Sequence, residues 1–104
     1  MSLTHVARYA YETVAASQSD QVLGNAGAAG DILDALLIVP ASTSPGAVTI
    51  KDGGGSAITV FTGGASSVGS LVPFSVPLLI KSVSGAWKVT TGSNVSVIAS
   101  GNFT

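Results

Sequence analysis

The sequence predicts an all-β fold, an antiparallel β-sandwich with jelly-roll-like character and an N-terminal arm or edge strand. Three observations predict it. Several segments alternate apolar and polar residues with a period of two, the mark of half-buried strands. Turn chemistry built from Gly, Ser, Pro and Asp recurs at short, fairly even intervals. The length, 104 residues, suits one domain with one core.

Taken in chain order, residues 1–17 stand apart. They hold the sole His, the sole Arg and both Tyr, as His5, Arg8, Tyr9 and Tyr11. Tyr and Arg are favoured anchors of protein interfaces, so these four are the candidate partner-binding residues. The stretch from Tyr9 to Val14 reads either as an arm that orders on a partner or as a first strand. Residues 18–104 then form the sandwich proper. Gly24 to Gly30 is a flexible connection. Ile32 to Val39 is apolar on both faces towards its end and is followed by Pro40, which favours a central, well-covered strand over a helix. Asp31 starts that element, and Asp34 is an interface or ladder residue.

Val48 and Ile50 mark the inner face of the next strand, and Ile58, Val60 and Phe61 mark a β-branched and aromatic one after it. Asp52 to Gly55, between them, is a hairpin turn. The long run from Val72 to Lys81 places Phe74, Val76, Leu78 and Ile80 on one face and Pro73, Ser75 and Pro77 on the other. Proline donates no ladder hydrogen bond, so this run belongs at a sheet edge or at a bulge. Its length predicts a strand that passes from one sheet to the other. Trp87, Val89 and Thr91 share a face, as do Val95, Val97 and Ala99.

Composition restricts function. Charged residues make up 9% of the chain, against about 25% in ordinary domains. The net charge is −1, and four dispersed cations build no phosphate-binding or polybasic membrane patch. Hydrophobic residues reach an ordinary 46%, so Gly, Ser and Thr replace the missing charges. A surface this poor in charge suits coverage by neighbouring subunits better than life as a free monomer. No apolar stretch approaches the length of a membrane-spanning helix, and the N-terminus lacks the pattern of a signal peptide. Cysteine is absent, which removes disulfides, thiolate metal sites and cysteine nucleophiles.

The chain is not expected to be an enzyme, and no cofactor or metal is expected. Asp31 and Asp34 are too weak a pair for acid–base work. A Ser–His–Asp arrangement would need His5 from the terminus, and no nucleophile-elbow sequence is present. One His and five scattered carboxylates do not converge on a metal. Gly24 to Gly30 lacks the spacing of a phosphate loop. The sequons at Asn94 and Asn102 carry no weight without a signal peptide. Trp87 could stack on a sugar, but its alternation with Val89 favours the core.

The phrases Pro45-Gly-Ala-Val-Thr-Ile-Lys-Asp-Gly, Ile58-Thr-Val-Phe-Thr-Gly-Gly and Pro73-Phe-Ser-Val-Pro-Leu have a recognisable style. They lead into Lys81-Ser-Val-Ser-Gly-Ala-Trp-Lys-Val-Thr-Thr-Gly and a terminal Val97-Ile-Ala-Ser-Gly-Asn-Phe. Over roughly the last 70 residues this resembles small virion proteins of tailed bacteriophages, above all head decoration (cement) proteins. The resemblance implies a homotrimer on the capsid surface that binds the major capsid protein and reinforces the shell, with a terminal arm making the contact. It carries no residue-by-residue motif. Two other readings stay open: a tail or neck component, and a small carbohydrate- or receptor-binding module that uses Trp87 or the two tyrosines.

Overall fold

The structure, a computed structural model, describes residues 9–104. They form eight strands and no helix: β1 (Ala10–Val14), β2 (Gln21–Val22), β3 (Ile32–Pro40), β4 (Val48–Asp52), β5 (Ile58–Phe61), β6 (Phe74–Lys81), β7 (Trp87–Thr91) and β8 (Val95–Asn102). Two antiparallel sheets of four result, in the orders β1-β8-β3-β6 and β2-β7-β4-β5. Strand pairs are nested: β4 with β5, β3 with β6, β2 with β7 and β1 with β8. This is one long hairpin rolled into two sheets, the arrangement of a jelly roll.

The hairpin turns at Asp52–Gly55, where the Gly55 amide donates to the Asp52 carbonyl at 2.9 Å. Gly53 takes φ +58° there, and a Cβ would strike the backbone of Ser84 and Gly85, so glycine is required twice over.

The sheets enclose the core by simple alternation. Val48 and Ile50 of β4, Trp87 and Val89 of β7, Leu33, Leu36 and Ile38 of β3, and Val95, Val97 and Ala99 of β8 point inward and are buried. Val14 of β1 and Leu23 after β2 close one side. On the other side the Phe61 and Phe74 rings meet edge-on, centroids 5.3 Å apart, and join β5 of one sheet to β6 of the other. Trp87 is a core residue at 3% exposure, and its indole N–H donates to the Asp31 carbonyl at 3.0 Å. The segment 32–39 is a strand, central in its sheet between β8 and β6.

One expectation needs correcting. The run containing Pro73 and Pro77 lies at a sheet edge but does not cross between sheets. All of β6 stays beside β3, and the irregularity appears as a bulge between Leu33/Ile80 and Ala35/Pro77. Asp34 on β3 there faces Leu78 and Leu79 on β6, and Leu79 absorbs the extra residue with φ +52°. Of the two readings of the stretch from Tyr9 to Val14, the strand is the one found: it contributes the edge strand β1, paired with β8 from Ala10↔Gly101 to Val14↔Val97, with Val14 fully buried. His5 and Arg8 lie outside the described residues.

Candidate interaction surface

Four of the five carboxylates, Glu12, Asp20, Asp31 and Asp52, accept hydrogen bonds that tie strands and loops of the roll together. Asp31 precedes β3 and is 4% exposed. Its carboxylate accepts from the Ala28 amide at 3.1 Å, the Thr104 amide at 3.1 Å and the Thr104 hydroxyl at 3.0 Å. Its carbonyl accepts from Trp87 and from the Ser82 amide. One residue thus ties together the 24–30 loop, the C-terminal residue, β7 and the end of β6. Glu12 bridges β1 to β2, accepting from the Gly24 amide and the Gln21 side-chain amide, both at 2.8 Å. Asp52 accepts from the Val83 and Ser84 amides at 2.9 Å each. Those backbone donors, Ser84 first and Val83 next, hold its carboxyl below the usual carboxylate range. Asp20 is likewise held low, chiefly by its hydrogen bond to Lys51, the ammonium lying 3.1 Å away. Among the described residues no three His, Cys, Asp or Glu side chains gather as a metal site.

The two outer sheet faces differ sharply. On β2-β7-β4-β5 the outward positions next to Val22 are Lys88, Thr90, Thr49, Lys51 and Thr59, with Asp20 beside them. That face is hydroxylated and carries two lysines.

On β1-β8-β3-β6 the register sets Tyr11, Ser100, Ala35 and Pro77 in one row, and Thr13, Ile98, Leu37 and Ser75 in the next. Ser96 and Val39 continue it. None of these ten positions carries a charge. Lys81 and Asp34 enter only at the end marked by the bulge. Strand spacing of about 4.8 Å and a rise of about 3.3 Å per residue make this face roughly 19 Å by 30 Å. Tyr11, at 73% exposure, stands at its β1 margin, with Tyr9 just before the strand at 49%.

The two described tyrosines of the sequence-predicted set therefore flank this face. The face itself combines residues from four strands far apart in sequence. Its signal was the apolar character of 32–39 on both sides, since Leu37 and Val39 point outward while Leu36 and Ile38 point in. Further exposed apolar side chains are Leu79 in the bulge, at 70%, and Val83 beyond it, at 81%. Compared with protein-family models, curated proteins and solved structures, the chain matches none.

Proposed function

We propose that this chain is a structural virion protein that binds the outside of a phage capsid and stabilises it through contacts between subunits. The observation that supports the reading most is the uncharged outer face of β1-β8-β3-β6, in which Leu37, Val39, Ile98 and Ala35 are interspersed with hydroxyls. A face of this composition can lie against another protein without burying unpaired charge. Its area suits a contact of modest size, and repetition over the symmetric sites of a shell turns modest contacts into a large total. The phage-like phrasing of the sequence supplies the address, the capsid surface, and the major capsid protein as partner.

Two variants test it by co-sedimentation with undecorated capsids. Leu37→Lys with Ile98→Lys puts two charges at the centre of the face, where neither side chain belongs to the core. It should abolish binding while the circular dichroism spectrum stays that of the parent. Removal of residues 1–8 should weaken binding through the loss of His5 and Arg8. A cut after residue 17 is unsuitable, because it also removes β1 and the buried Val14. Parental binding by the double lysine variant would sink the proposal.

One rival keeps a specific observation in its favour. Tyr9 and Tyr11 are exposed, as a sugar- or receptor-binding module requires, whereas Trp87 is buried and unable to stack on a ligand. Saturable glycan binding that Tyr11→Ala removes, with no capsid binding, would favour that rival.

A further inference from the structure

A sandwich of two open sheets has four edge strands, and each is a template for pairing with another chain unless something blocks it. Three of the four are blocked here. β6 carries Pro77 and the bulge at Leu79. β5 has four residues and a register shift opposite Val48/Thr49. β2 has two residues. β1 has five residues, no proline, no lysine and an unbroken register with β8.

We propose that β1 is a docking edge, and that its occupant is β1 of a second copy of this chain, paired antiparallel about a two-fold axis. The commitment to a second copy follows from the edges themselves. Pairing β1 with a different edge of a neighbour would need a second open edge, and the described strands offer none. A strand that is the sole open edge can meet itself, and a self-complementary contact is two-fold by construction.

The hydrogen-bonding direction fixes the register. The Thr13 carbonyl accepts from the Gln21 side chain at 3.2 Å, outside the ladder with β8. The peptide groups of Thr13 therefore point away from β8. By the two-residue period so do those of Tyr11 and Tyr9. These three outward-pointing residues are centred on Tyr11. A two-fold axis at Tyr11 sets Tyr11 opposite Tyr11, and Tyr9 opposite Thr13, each as a hydrogen-bonded pair. It also sets Glu12 opposite Ala10, whereas an axis one residue on would oppose Glu12 to its own copy. A carbonyl has two lone pairs, so Thr13 can keep Gln21 and accept the new strand. The outcome is one continuous eight-stranded sheet with a doubled uncharged outer face.

This pairing needs no shell, so its failure and the failure of the virion reading are seen in separate experiments. The purified chain is measured by light scattering after size exclusion across a concentration series, with a dimer expected in place of the homotrimer that the resemblance implies. Tyr11→Lys, at an exposed position, should weaken the dimer at least about tenfold by opposing two ammonium groups, with the circular dichroism spectrum of the folded chain unchanged. An equimolar mixture of Tyr11→Lys and Tyr11→Glu should restore dimer mass.

A second measurement uses the absence of cysteine from the chain. A hydrogen-bonded antiparallel pair holds its Cα atoms about 5.5 Å apart, within disulfide reach. Tyr11→Cys should therefore cross-link on mild oxidation at least about tenfold faster than Val83→Cys, which is equally exposed but off the edge. A wild-type monomer at every concentration, a trimer, or equal cross-linking at the two positions each overturns the proposal.

Discussion

Replacing Asp31 with Ala should destabilise the domain far more than any other carboxylate substitution among the described residues. The carboxylate accepts three hydrogen bonds, from Ala28 and from the amide and hydroxyl of Thr104. Hydrogen bonds to a charged group contribute about 1.5–3 kcal/mol each when isolated. These three share one acceptor group, and water can reach the freed Thr104, so the net loss is set near one strong bond and part of a second, about 3 kcal/mol. For a domain of this size that lowers the thermal midpoint by roughly 12–24 °C. The Asp31 carbonyl keeps Trp87 and Ser82 in the variant, so the change isolates the carboxylate. Urea and thermal unfolding read the effect, and a double-mutant cycle with Thr104→Val assigns it. The cycle should return a coupling of about 1 kcal/mol or more. A loss below about 1 kcal/mol for Asp31→Ala, or strict additivity with Thr104→Val, would refute the clamp.

The remaining predictions concern acid and close packing. Asp20 and Asp52 both titrate below the ordinary carboxylate range in the folded chain, Asp20 through Lys51 and Asp52 through the Ser84 and Val83 amides. A depressed folded value means the stabilisation is complete above the unfolded value, near pH 4, and is lost as pH falls through the folded one. The thermal midpoint should therefore fall below about pH 4, and Asp52→Asn should flatten that fall while lowering the midpoint at neutral pH. Gly101→Ala in β8 should destabilise by about 2 kcal/mol or more, because a Cβ there runs into the Ile32 carbonyl oxygen and the Phe103 ring. Urea unfolding reads that loss, and parental stability would mean β3 can move away.

Much of the fold was legible because the core is built by alternation. Val48/Ile50, Trp87/Val89/Thr91 and Val95/Val97/Ala99 announce three strands by the residues they bury. The prolines of β6 announced an edge, because a missing N–H has the same consequence in any fold. Other features left no local trace. β2 is two residues long, too short for a period to show. The bulge depends on Leu79 adopting φ +52°, which nothing in a leucine advertises. The Asp31 clamp joins residues 73 apart in sequence, so only the closed roll brings the partners together. The uncharged face was half legible: the outward apolar residues of β3 could be read, but not that Ile98 and Tyr11 would lie alongside them.

The nested pairing bears on how the chain reaches this state. The four nested pairs are concentric with the Asp52–Gly55 turn, so the β4–β5 hairpin closes the shortest loop and β1–β8 closes the longest. Closure entropy rises with loop length, and strands paired across most of the chain form slowly. Loop-closure entropy alone therefore favours a roll that zips from its middle outward. On that order the β1–β8 seam would close last, and it leaves β1 on the outside, where the nascent molecule would stay longest within reach of its neighbours.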